Sequence, residues 1–240
     1  MRINLDKIID NLEDACRCWS ACFSNTEYSV VFNKQLKNQN PNEIKYILIG
    51  DNPGKDEKSF GQYFVGDAGL VSRLFFERFL VNDFDKEVLC LNKTPISTNT
   101  TKELEKLQEL QCNVFIKSQT FMANVAYNLY QILGVPVIIC GFSGCRQATP
   151  LKWSLDSSKN KAHTGSRFFA QIRHNFNSYQ DDVYLIKHFS RNCFFEDFGI
   201  NEYRNNKGNC VFCIGEKYRN ELFNSYKRVK KPNKKIKLTV

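Results

Sequence analysis

No stretch of this 240-residue chain approaches the ~18 to 20 consecutive apolar residues of a membrane span. The opening residues also lack a signal-peptide core, because Asp6, Lys7 and Asp10 interrupt the apolar positions around them. A soluble protein of the cell interior is the expectation. The two common glycine-rich nucleotide signatures are missing too. There is no Gly-x-Gly-x-x-Gly, and Gly50-x-x-x-Gly54-Lys55-Asp56 is one residue short of the phosphate-loop pattern. It also carries Asp where the metal-binding Ser or Thr belongs, so a nucleoside triphosphatase is not expected. Paired Cys-x-x-Cys knuckles are absent as well. Ten cysteines in this length are too sparse for a small disulfide scaffold and read as reduced thiols. The groups Cys16, Cys18, Cys22 and Cys210-x-x-Cys213 have the elements of a zinc site without its usual spacing. Acids are lacking from residues 227–240, which hold seven Lys or Arg; of the formal charge of +9, only 9 − 7 = +2 belongs to the rest of the chain. The body is nearly neutral and the tail is basic, suited to non-specific phosphate contact or simply solvated.

What is present reads as one α/β domain. With 42% hydrophobic and 25% charged residues, the chain can bury a sizeable core. Four short apolar runs, Tyr46–Gly50, Val88–Asn92, Val135–Gly141 and Val183–Lys187, are continuous rather than alternating, as strands buried on both faces are. Helical patterns lie between them: Ala68–Leu80, Lys102–Lys117, Ser118–Leu133 and Arg167–Tyr179. A helix over Leu5–Trp19 precedes the first strand, and a last helix over Glu216–Val229 runs into the tail. The alternation predicts a four-stranded parallel sheet flanked by helices on both faces, in a single domain over 1–200, followed by a helical extension over 201–226 and the tail over 227–240.

Ligands of open parallel sheets bind beyond the carboxyl ends of the strands, and three strand ends here carry unusual residues. The first run leads into Gly50-Asp-Asn-Pro-Gly54 and on to Phe64-Val-Gly-Asp-Ala-Gly69. The second ends at Asn92-Lys-Thr-Pro95, and the fourth at His188-Phe-Ser-Arg-Asn192.

At these residues the chain resembles the uracil-DNA glycosylase superfamily, most closely its thermophile-type branch, often called family 4. Asp51 stands at that branch's Glu in Gly-Glu-x-Pro-Gly, Glu57 falls in its acidic stretch, and Phe64–Gly69 matches nearly residue for residue. Asn92 takes the place of the strand-ending Asn, and His188-Phe-Ser190 that of His-Pro-Ser. The resemblance spans about residues 19–195. There are departures. Asn52-Pro53-Gly54 is closer to the Gly-x-Asn-Pro-Gly of the mismatch-specific and single-strand-selective branches, Ser190-Arg-Asn192 is similar to the latter, and Tyr63 and Phe189 replace prolines. The branch's four iron-sulfur ligands fall on Trp19, Cys22, Ile96 and Cys112, so two ligands are missing and no cluster is expected.

The resemblance implies a monofunctional DNA-repair glycosylase that flips uracil from single- or double-stranded DNA and hydrolyses its N-glycosidic bond. A monomer without metal or organic cofactor is expected, placed in the cytoplasm with the nucleoid or in a nucleus. That chemistry builds positive charge on the sugar and negative charge on the departing base, after the base has left the stack. Phe64 suits stacking against the base beside Gly50. The Asn92 amide can donate to a uracil carbonyl and accept from N3–H. His188 can donate to the anion developing on O2, and Asp51 or Asn52 can hold water beneath C1′. Pro53, Gly54, Lys93, Ser190 and Arg191 are candidate phosphate contacts.

Each residue also has a plainer role. Asp51 and Asn52 before Pro53-Gly54 are good turn formers. Asn92 can cap a turn, Phe64 can fill a core, and His188 can be a satisfied histidine, as His163 and His174 are read to be. Two other classes fit the pattern: a DNA- or partner-binding protein of this fold that does not cleave, and a flavodoxin-like small-molecule binder.

Overall fold

The computed structural model describes residues 4–24, 26–98, 103–104, 106–107, 113–141, 167–189, 194 and 207–224. Its helices are α1 (Leu5–Cys22), α2 (Lys55–Phe60), α3 (Asp67–Phe79), α4 (Phe84–Glu87), α5 (Asn113–Leu133), α6 (Arg167–Asn175) and α7 (Lys207–Asn224). The strands are β1 (Ser29–Val30), β2 (Tyr46–Gly50), β3 (Val88–Asn92), β4 (Ile96–Ser97), β5 (Val137–Ile139) and β6 (Val183–Leu185). The four apolar runs form the expected parallel sheet, in the order β3-β2-β5-β6. β1 and β4, too short to register as periodic patterns, make a separate antiparallel pair.

The sheet is buried on both sides, which is why its strands read as unbroken apolar runs. Ile47, Ile49, Leu89, Leu91, Val137, Ile139, Val183 and Leu185 point to one core, shared with α1, α5 and α6. The residues between them, Leu48, Val88, Cys90 and Ile138, point to a second core with Phe75 and Phe76 of α3 and Phe84 of α4. Helix α1 joins the first core through Leu5, Ile8, Ile9, Leu12 and Cys16, the stripe expected of 3.6-residue periodicity. Its N-terminus is capped by Asn4, whose side chain accepts from the Asp6 amide at 3.3 Å. Helix α7 lies against β6 and reaches both cores, with Tyr218 and Leu222 in the first and Val211 in the second.

The expected break between helices at Lys117 and Ser118 is absent: α5 runs continuously from Asn113 to Leu133. Ser118 is fully buried, and its Oγ donates back to the Phe115 carbonyl at 2.8 Å while lying 2.7 Å from the Thr94 hydroxyl. A hydroxyl satisfied in this way does not terminate a helix. A third, smaller core of Phe23, Ile96, Leu104, Leu107 and Phe115 surrounds Ile96. Among the described residues, no helix is long and apolar enough to cross a membrane.

Candidate functional site

The alternation of the strands carries past their carboxyl ends and divides the site in two. Gly50 and Asn92 are partners across β2 and β3, and they share the parity of Leu48 and Cys90, which face the α3 core. Asp51 and Lys93 share the parity of the residues facing α6, and the Lys93 amide still donates to the Gly50 carbonyl at 2.9 Å.

On the α3 side, Gly50, Asn92 and Phe64 meet. A Cβ at position 50 would lie 2.4 Å from Asn92 Oδ1 and 3.0 Å from Phe64 Cζ, so only glycine admits both groups. Asn92 is 2% exposed, and its Nδ2 is buried without a hydrogen-bond partner. A buried donor left unmatched costs about 1 to 3 kcal/mol, and such groups in native proteins call for an explanation. Phe64 is held in place from three directions. Its backbone is left-handed at φ 59°, its N–H donates to Glu57 Oε1 at 2.6 Å, and its carbonyl accepts from Arg73 Nε at 2.9 Å. The other Glu57 oxygen accepts from the Gly54 N–H at 2.6 Å, so one carboxylate ties the loop after β2 to the loop carrying Phe64. Burial pushes the Glu57 carboxyl above its ordinary value, and the two amide bonds oppose that shift.

On the α6 side, Lys93 Nζ contacts Asp51 Oδ1 at 2.5 Å. The Lys93 side chain is wholly buried and that of Asp51 is 14% exposed. The ammonium also lies 4.9 Å from the centroid of the Phe169 ring. Asp51 is tucked against Gly141, whose φ of 79° suits glycine; a Cβ there would meet Oδ1 at 2.2 Å. Asn52 follows with its Nδ2 donating to the Pro53 carbonyl at 3.2 Å and to Thr98 Oγ1 at 3.1 Å. With the nitrogen engaged, Oδ1 is the atom left to accept a hydrogen from water.

His188 lies half-buried just beyond β6. Its neighbour Phe189 is buried in the same core as Phe64, with its ring 6.2 Å from Phe75 and 4.4 Å from Phe194. Phe189 thus anchors the segment beyond β6 by packing.

Three expected phosphate contacts are corrected. Lys93 faces inward to Asp51 and presents no cation to solvent. The Gly54 amide is taken up by Glu57, and Pro53 is buried with its carbonyl bonded to Asn52. Ser190 and Arg191 lie outside the described residues, as do His163, Cys112 and the basic tail. Of the clustered thiols, Cys16 is buried, pushed up to about 12 chiefly by desolvation, while Cys18, Cys22 and Cys213 are exposed.

Sequence reasoning underrated Glu57 and missed the direction of Lys93. The first left a signal: Gly54-x-x-Glu57, from the N-cap into the first turn of α2, has the spacing of a capping box. The second left only a run of polar residues after β3, in which Asn92, Lys93, Thr94, Ser97 and Thr98 are all buried. No protein-family model matches the chain, and no curated protein matches it either.

Proposed function

We propose that the protein is a DNA-base glycosylase of the uracil-DNA glycosylase type, which hydrolyses the N-glycosidic bond of a base turned out of the DNA stack. The observation that carries this reading is the Asn92 amide, buried and unpartnered at Nδ2, beside the Phe64 ring and the bare Cα of Gly50. A primary amide presents a donor and an acceptor side by side, the complement of a uracil O4 carbonyl and N3–H. The left-handed Phe64 backbone and its fixing by Glu57 and Arg73 supply the preorganisation that such a pocket needs.

Catalysis then follows from charge. As the glycosidic bond lengthens, negative charge gathers on the base and positive charge on the sugar. His188 donates a hydrogen bond to O2 of the leaving base. Asp51 presents a carboxylate toward the cationic sugar, and Asn52 Oδ1 holds the water that adds to C1′. The water oxygen forms the new bond to C1′, the C1′–N1 pair leaves with uracil, and the water's proton passes to solvent or to the uracil anion. This chemistry requires no metal or organic cofactor, and the strand is left intact with an abasic site.

The test is incubation of the full-length protein with uracil-containing single- and double-stranded oligonucleotides, followed by hot alkali. Breaks at the uracil position that appear only after alkali are expected. Their absence on both substrates, with DNA still bound, would leave the non-cleaving DNA-binding reading in its place.

A further inference from the structure

We infer that Lys93 is a positioning residue, the built-in counter-ion that keeps Asp51 ionised and turns its carboxylate toward the crevice; this rests on the glycosylase reading above. A lysine directly after the strand-ending Asn92 would be expected at the surface. Here its side chain is entirely buried, and burying an ammonium is costly unless it is paired. The pairing is specific. Nζ sits between Asp51 Oδ1 at 2.5 Å and the Phe169 ring centroid at 4.9 Å, so the cation is closed in from α6 and from β2. Gly141 leaves room for the Asp51 carboxylate from the side of β5.

The orientation of the pair is what makes it functional. The ammonium is the sealed end and the carboxylate is the end with 14% exposure, so the pair points the negative pole of its dipole toward solvent at the carboxyl ends of the strands. A carboxylate held in this way can face a cationic sugar without rotating at the moment of reaction. Protonating Asp51 would leave the Lys93 charge buried without its counter-ion. Among the described residues, Cys140 also feels both members of the pair, and burial pushes its thiol up so that it stays neutral.

The experiment is a double-mutant cycle of Lys93→Met, Asp51→Asn and the pair of changes together. Single-turnover excision is followed against pH, and urea unfolding is measured on the same proteins. Lys93→Met should slow excision about 100-fold, the size of effect that misplacing a reacting group produces. It should also move the acid limb of the rate to higher pH, since Asp51 loses the cation that favours its charged form. In the Asp51→Asn background, Lys93→Met should cost nothing further. Additive losses of rate, or an unmoved acid limb, would overturn the inference. So would borohydride capture of the protein on abasic DNA that Lys93→Met abolishes, which would make Lys93 an imine-forming nucleophile. If Lys93→Met fails to fold, the double variant still decides: a folded double variant as slow as Asp51→Asn supports the pairing, and a markedly slower one refutes it. Failure of the glycosylase reading is distinct. In that case the wild-type protein is inactive on every substrate, and the coupling of the pair appears only in the unfolding data.

Discussion

In an Asn92→Leu variant, the buried Nδ2 that has no hydrogen-bond partner is exchanged for a methyl group of similar reach. Removing an unmatched amide from the interior is worth about 1 to 3 kcal/mol of stability. Against this stands the crowding at Gly50, where Asn92 Oδ1 and the Phe64 ring already fill the space that a Cβ would need. A branched side chain pressed into that space costs about 1 to 3 kcal/mol in overpacking. The two terms oppose each other and leave a net change within about 1 kcal/mol, or a few degrees in Tm for a chain of this size. Excision should behave differently. Loss of a preorganised hydrogen-bonding group lowers the rate about 100- to 1000-fold, and here it also removes the means of reading the base edge. The assay pairs urea unfolding with single-turnover excision on one uracil-containing duplex. Destabilisation by more than about 3 kcal/mol alongside the lost activity would show Asn92 to be a structural residue whose amide was satisfied all along. Undiminished excision would remove it from the site altogether.

Replacing His188 with Ala should lower transition-state stabilisation by about 2 to 4 kcal/mol; wild-type single-turnover rates would remove it from the mechanism. Because burial raises the Glu57 carboxyl in the folded protein, its contribution to stability is greatest below the ordinary carboxylate value and declines as pH rises to the raised one. Glu57→Gln should abolish that slope and cost about 1 to 3 kcal/mol at neutral pH, since its NH2 must face one of two backbone donors. Urea midpoints of both proteins from acid to neutral pH measure this, and parallel curves refute it. Gly141→Ala forces a Cβ into a left-handed backbone and against Asp51; about 1 to 2 kcal/mol of stability and most excision activity should be lost, while an active, equally stable variant would place Asp51 elsewhere. Truncation after Tyr226 removes the seven basic residues of the tail, and should weaken binding to undamaged and uracil-containing duplexes equally, with a shallower salt dependence. An unchanged salt slope rejects the DNA role of the tail.

The sheet was legible because its strands are buried on two faces: Tyr46–Ile49 and Val88–Leu91 carry apolar side chains at every position to fill both cores, and only the last residue of each strand, Gly50 or Asn92, departs from this. The shorter strands were less sharply bounded. Val135–Gly141 shrinks to Val137–Ile139, although Pro136 accepts from Ile47 and Cys140 donates to Ile49, so the ladder itself extends beyond the strand. Strand order was not legible, since nothing local in a βαβ pattern says which neighbour a strand will choose. The convergence of Gly50, Phe64 and Asn92 could be expected from their motifs, but the unmatched Nδ2 could not, because satisfaction of a polar atom depends on the whole surrounding shell. Lys93 shows the limit most clearly. A lysine next to Asn92 reads as a surface cation until the parity of β3 is continued one residue past its end and Asp51 is found on the same side.

Three features that cost stability lie where β2, β3 and β5 end, while Ser29 Oγ, Gln39 Oε1 and Arg219 Nε are other buried atoms left unmatched elsewhere in the fold. Phe64 is the one non-glycine residue with positive φ among the described residues, and an outlier of this kind costs on the order of 1 to 3 kcal/mol. The unmatched Asn92 amide adds a similar amount, and the buried Lys93–Asp51 pair gives up the packing that two apolar side chains would provide. None of these is needed to close the sheet, whose ladder is already continued by Lys93 N–H to Gly50 and by Cys140 N–H to Ile49. A chain under selection for folding alone would continue the apolar run Val88-Leu-Cys-Leu91 through positions 92 and 93. The run stops there at an amide and at a cation paired to a carboxylate, beside the strained Phe64. Local cost at the ends of these strands is a pattern that binding a ligand can offset, as the proposed glycosylase site requires.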